Sequence, residues 1–273
     1  MPDEVRYQFL RPAQIVARRT ACPVAWLPLG TLEWHGVHNP LGTDTIQAEA
    51  LAVLCAQKGG GLAFPPLYYG ESRVESLMDA NSSDRELIAR EMGLPPENSS
   101  PARFPASPAE QIHNYQRLLQ HLLAELQSLG FEVGVLVAGH YPLLDHARAA
   151  VLMYNRSDLS KRGGMLAWAC LDVDLARDRY PESFGHAGRW ETSHLLHLCP
   201  QCVDLKLLPP KGEKIIGVGG ESPPQDSTAE FGRETLEFSA EVAVREVRHR
   251  LEHPELYRPA GESLREGQWK RMP

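Results

Sequence analysis

Short apolar runs alternate with longer amphipathic stretches along this chain, and that alternation narrows the fold more than any other feature. Val24–Leu29 is an apolar run ended by Gly30, which reads as a buried strand. Thr45–Ala56 follows as a helix with Ile46, Ala50, Val53 and Leu54 on one face. Leu62–Tyr69 carries two prolines, so it reads as an edge or irregular strand. Ala109–Leu129 is the clearest helix: Ile112, Tyr115, Leu119, Leu122, Leu126 and Leu129 recur at helical spacing, and Gly130 supplies the stop. Val133–Ala138 and Met165–Leu171 read as strands, and Leu144–Tyr154, Arg189–Leu198 and Ser227–Leu251 as helices. Strand and helix in alternation favour a mostly parallel sheet with helices on both faces, a three-layer α/β/α sandwich. The expectation is one domain over 1–273, with the polar stretch 71–108 as an insertion or lid. The tail from His253 is expected to wrap a neighbour or fray.

Composition excludes several functions. The formal net charge of -7 and scattered lysines and arginines argue against a nucleic-acid partner, because phosphate binding needs a basic face. Five cysteines, an odd number lying mostly in apolar runs, read as reduced thiols. No apolar run approaches a membrane span, and the acidic Met1-Pro2-Asp3-Glu4 start lacks a signal-peptide core, so a cytoplasmic location is expected.

The densest chemistry lies just after the first strand, in Gly30-Thr31-Leu32-Glu33-Trp34-His35-Gly36-Val37-His38-Asn39-Pro40-Leu41-Gly42-Thr43-Asp44. In open α/β sheets ligands bind beyond the strand C-termini. Glu33 and His35 are two apart, so an extended backbone sends both side chains the same way and Trp34 the other. A carboxylate and an imidazole converging there suit zinc, manganese or iron. Asp44 could bridge two ions, or simply cap the following helix. His140 ends another strand through Gly139 and should emerge at the same edge, as a ligand or a structural residue. A third cluster, Phe184-Gly185-His186-Ala187-Gly188-Arg189-Trp190-Glu191-Thr192-Ser193, puts His186 among small residues. It places Glu191 in a first helical turn, where the helix dipole alone would also favour a carboxylate.

These clusters, in this order, resemble the creatininase (creatinine amidohydrolase) family. Gly30 to Asp44 match its Gly-x-x-Glu-x-His-Gly-x-His-x-Pro-x-x-x-Asp signature at every defining position. Gly139-His140 matches the second signature and His186 to Ser193 the third, His-Ala-Gly-x-x-Glu-Thr-Ser. Gly217-Val218-Gly219 and Ser227 to Gly232 look like its C-terminal segment. The resemblance implies a divalent metal centre of one or two ions, action on small polar molecules such as cyclic amides, and assembly as homohexamers. By motif position Glu33, Asp44 and His140 would hold one ion, and His35 with Asp44 would contribute to a second. His186 would serve the substrate or leaving group, and His38 would be a further catalytic or supporting group. Creatininase proper carries a glutamate two residues after the Gly-His histidine, whereas Pro142 stands here, so either a single ion is bound or another group completes the second site, with Glu191 the candidate.

Tyr141 and Trp190 are the expected substrate-contacting aromatics. The implied reaction is hydrolysis of a C–N bond. Ring opening of a cyclic ketone and non-catalytic metal binding are the alternatives. Cys199-Pro200-Gln201-Cys202 has dithiol spacing but sits at a helix C-terminus, where no thiolate-stabilising field exists. His194 and His197 read as an ordinary packed or solvated helical face.

Overall fold

In the computed structural model, which describes residues 4–70, 84–99, 106–157, 160, 164–181 and 185–257, the apolar runs become parallel strands. The strands are β1 (Val24–Leu29), β2 (Leu62–Ala63), β3 (Val133–Ala138) and β4 (Leu166–Leu171), in the order β2-β1-β3-β4. Every pairing in this sheet is parallel, and β1, β3 and β4 run in full register, Leu29 beside Ala138 beside Leu171. Parallel neighbours need crossovers. α1 (Pro12–Ala21) leads into β1, and the crossovers carry α2 (Thr43–Gly59), α3 (Arg85–Glu91), α4 (Pro108–Ser128) and α5 (Tyr141–Asn155). After β4 come α6 (Asp172–Ala176), α7 (Arg189–Leu198) and α8 (Ala229–Glu252). Gly185–His186 (β5) pairs antiparallel with Gly219–Gly220 (β6).

The strands are apolar without a break because both faces are covered. Ala25, Leu27 and Leu29 of β1 face Leu119 and Leu123 of α4 and Leu144 and Ala147 of α5. Val24 and Trp26 face the opposite way, onto Leu51 and Cys55 of α2 and Ala240 and Ala243 of α8. The expected three-layer sandwich is therefore what forms.

Element boundaries differ from the sequence reading for identifiable reasons. β2 stops at Ala63, since Pro65 and Pro66 have no N–H for a ladder; only an isolated Leu29–Leu67 bridge resumes the pairing. α5 opens at Tyr141 and not at Leu144, because Pro142 falls in the first turn, where no N–H is required. Ser107 and Glu110 form a reciprocal capping box that starts α4. Of the stretch 71–108, residues 71–83 and 100–105 lie outside the described residues. Within the remainder, Ile88 and Ala89 of α3 bury against Trp34. The Asp84 carboxylate accepts the Gly217 N–H at 3.0 Å. Residues 258–273 of the tail also lie outside the described part. No helix among the described residues is long and apolar enough to cross a membrane.

The aligned strand ends fix the functional edge. After Leu29, Ala138 and Leu171 the chain leaves the sheet on one side, carrying the Gly30 loop, Gly139-His140 and Asp172. A Cβ on Gly139 would come within 1.9 Å of the Asp44 carbonyl oxygen, so the missing side chain is what lets the β3–α5 turn rest on the start of α2.

Candidate metal centre

Three segments distant in sequence supply one buried cluster. The loop after β1 is folded back by the Glu33 N–H donating to the Leu41 carbonyl at 3.0 Å. Glu33 and His35 are both fully buried and point into the cluster. Trp34 points away, donating its indole N–H to Ile216 O at 2.9 Å. Asp44 is inside the first turn of α2; Gly42 occupies the cap position, so Asp44 is not the helix cap. His140 stands at the cap of α5, His186 in β5 and Glu191 in the first turn of α7.

The donor atoms converge in overlapping sets: Glu33, Asp44 and His140; His35, Asp44 and Glu191; Glu33, His35 and His186, all within 4.8 Å inside each set. His140 Nδ1 lies 2.9 Å from Glu33 Oε2 and 3.6 Å from Asp44 Oδ2. His35 Nε2 lies 3.1 Å from Asp44 Oδ1 and 3.6 Å from Glu191 Oε2. Asp44 thus turns one oxygen towards each imidazole, the arrangement of a bridging carboxylate. Pro142 lines the adjacent cavity without offering a ligand atom, and Glu191 provides the carboxylate beside His35.

The electrostatics call for a cation. His35 Nδ1 lies 3.1 Å from the Glu33 carbonyl, which can only accept, so Nδ1 carries a hydrogen and Nε2 is the nitrogen facing the carboxylates. Neither Asp44 oxygen nor His35 Nε2 has a well-formed hydrogen bond among the described residues. Burial opposes charge on His35, but Asp44 and Glu191 outweigh it and raise its pKa to about 10. Burial likewise opposes charge on His140, and Glu33 and Asp44 raise it to about 9. Glu33, despite burial, is lowered to about 2 by His140 and the neighbouring imidazoles. Glu191 goes the other way, raised to about 7 by burial even though His35 opposes the rise. Protons do here what a divalent ion would do better: they neutralise clustered oxygens in a desolvated place. Carboxylate and imidazole donors of this kind fit zinc, manganese or iron.

His186 donates from Nε2 to the Trp34 carbonyl at 2.6 Å, which turns its Nδ1 lone pair towards Glu33 Oε2, 4.0 Å away. Burial, with the positive His35 next in weight, lowers its pKa to about 4. Ala187, beside it, has φ +54°, a left-handed conformation that costs a non-glycine residue energy, and its N–H donates to Glu191 Oε2 at 2.5 Å. Glu191 therefore meets both expectations: it satisfies a backbone donor near a helix start and faces the cluster.

A cavity of about 350 Å³ opens on these groups, its wall including His140, Tyr141, Pro142, Asp172, His186 and Glu191. Tyr141 is in that wall, as expected. Trp190 is not: it is buried against Tyr180, Phe231 and His194, and its indole N–H donates to Asp172 Oδ2 at 2.7 Å. His38 is also absent from the wall. It is buried behind the cluster, its Nε2 3.1 Å from Thr192 Oγ1, which also accepts from Asn39 Nδ2 at 2.9 Å. Neither side chain lines this cavity: Trp190 gives its indole N–H to Asp172 and His38 turns its Nε2 to Thr192, so both stand behind the wall and not in it. Asn39, Thr192 and Asp172 escaped the sequence reading; only Thr192, inside the third signature, carried a signal. His194 is buried between Gln47 Oε1 and Thr235 Oγ1, at 2.7 and 2.9 Å, and His197 is exposed, as an ordinary helical face requires. Burial and the neighbouring Cys202 push the Cys199 thiol up to about 11, against an exchange role.

The chain is similar to known proteins over most of its length. The model of the family described as Creatininase, creatinine amidohydrolase, matches residues 9–82 and 89–247. A creatinine amidohydrolase of Pseudomonas putida is 26% identical over 194 residues; the match spans 67% of this chain and 66% of that protein's length. A crystal structure of creatinine amidohydrolase superposes with a TM-score of 0.65 at 23% identity, covering 92% of this chain and 98% of the other. A structure named "Creatininase Mn" gives 0.65, also at 23% identity, over 92% and 99%. With most of its length matched, from ahead of the first helix into the last long one, the chain belongs to the creatininase family.

Proposed function

We propose that this protein is a metal-dependent amidohydrolase that cleaves a C–N bond in a small cyclic amide or related polar molecule. The observation that carries the reading is the placement of Asp44, one carboxylate oxygen towards each of two buried imidazole–carboxylate pairs. Glu33, Asp44 and His140 would hold one ion, and His35, Asp44 and Glu191 a second. Relatives with structures named for manganese and for a zinc-zinc form favour zinc or manganese as the ions. A divalent ion held there supplies Lewis acidity, which acidifies water and polarises a carbonyl.

The protein's own groups then have defined tasks. His186 presents a lone pair on Nδ1 while Nε2 is anchored, so it takes up the proton released as water attacks and returns it to the leaving nitrogen. Tyr141 and Pro142 shape the wall of the cavity. His38 acts through Thr192, which also contacts the Ala187 carbonyl, and so keeps the 186–191 segment in place. Assembly as a homohexamer is part of the same proposal, resting on family membership; gel filtration with light scattering checks it. Hydrolysis of a panel of cyclic amides by metal-loaded protein, with metal content measured per chain, tests the main reading. Absence of bound divalent ions would sink it.

His186→Ala should keep its metal and lose turnover by about 10²-fold or more, the usual scale for a positioned acid–base group. A variant with wild-type rates would remove His186 from the mechanism. Without metal, stability should depend on pH in a defined direction. An unfolded histidine has a pKa near 6.5, while His35 and His140 are raised to about 10 and about 9 when folded. Their contribution is complete below pH about 6.5 and is lost as pH rises towards about 9 to 10. Thermal melts of chelated protein should therefore fall across that window, and melts of zinc-loaded protein should not follow.

A further inference from the structure

Among the described residues, Asp172 is the titratable group of the cavity wall that the proposed reaction leaves without a task. It follows directly on Leu171 at the end of β4, beside the β3 end that carries Gly139-His140, and shares the cavity with His140, His186 and Glu191. Its side chain is about nine-tenths buried. Trp190 braces it through the 2.7 Å indole hydrogen bond to Oδ2, and Ser239 Oγ donates to its carbonyl at 3.2 Å. No lysine or arginine among the described residues pairs with it. His194 Nδ1 lies 3.5 Å from Oδ2, yet both ring nitrogens are engaged by Gln47 and Thr235. Burial lowers the His194 pKa to about 3, so that ring is neutral and supplies no counter-charge. The neighbouring wall is apolar or glycine: Leu171, Val173, Pro142, Gly185 and Gly219.

A carboxyl placed in such a wall without a cation is costly unless a ligand supplies donors. Burial raises its pKa to about 6, against the hydrogen bonds from the Trp190 indole and the Val173 and Asp172 N–H groups. We infer that Asp172 is a substrate-recognition carboxyl, selecting molecules that carry an amidine- or amine-type N–H group beside the amide to be hydrolysed. The inference rests on this cavity being the amidohydrolase site proposed above. It also implies discrimination against carbonyl-bearing analogues, whose lone pairs would face the carboxylate.

Creatinine and 1-methylhydantoin form a matched probe pair: the same methylated five-membered ring, with an exocyclic amino group in one and a carbonyl oxygen in the other. Their dissociation constants are to be measured by NMR titration on metal-loaded wild-type protein and on Asp172→Asn, which preserves an acceptor for the Trp190 indole. Wild type should favour creatinine by about tenfold or more, the scale of a charge-assisted hydrogen bond. Asp172→Asn should bring the ratio close to one. A purely structural role would weaken both rings alike and leave the ratio unchanged. A wild-type ratio near one, binding of neither ring, or a ratio preserved in Asp172→Asn would overturn the assignment. If Asp172→Asn does not fold, the wild-type ratio decides alone. Product formation is followed in the same samples: selective binding without hydrolysis would leave the recognition role standing while the reaction assignment fails.

Discussion

Asp44→Asn is expected to release metal from both proposed positions and to lower turnover by at least about 10³-fold, since it weakens a donor shared by two ions. Asparagine keeps the shape of the side chain, so helix α2 and the packing around it should survive. What changes is charge. The two oxygens that face His35 and His140 become one neutral oxygen and one amide nitrogen, and the nitrogen is no ligand. Metal analysis and circular dichroism on the same sample separate the two effects. Retention of two ions per chain with normal activity would dismiss the bridging role.

Glu191→Gln should have a narrower and more diagnostic effect. If Glu191 takes the place that Pro142 cannot fill, the variant should retain the ion at Glu33, Asp44 and His140 and lose the one at His35. Metal content would fall from about two to about one per chain, with a loss in rate of about 10²-fold or more. The same change weakens the acceptor for the Ala187 N–H, so a small drop in melting temperature is also expected. Full retention of both ions would show that another group completes the second position.

Much of this architecture could be read from the chain because both-sided burial writes itself as unbroken apolar runs. Val24–Leu29 and Val133–Ala138 were located to the residue. The candidate cluster was legible for a related reason: strand ends in a parallel sheet gather at one edge, so Glu33, His35 and His140 had to be neighbours once the strands were placed. Other features were not legible. Pro142 looks like a lost ligand in sequence, yet it is also a well-suited first-turn residue, a fact visible only once α5 is seen to open at Tyr141. Trp190 and His38 sit beside proposed ligands in sequence, and adjacency suggested substrate contact. In space their polar atoms turn to Asp172 and Thr192. Asp172 itself carried no motif, because its significance comes from what does not surround it.

The cluster draws donors from positions 33–44, 140 and 186–191. An ion seated there would tie off chain loops of roughly 100 and 150 residues at a single point. Such a tie behaves as a reversible cross-link whose strength follows the free concentration of the ion. Resistance to proteolysis would then track metal supply, and a chelator would shorten the protein's lifetime before any substrate is present.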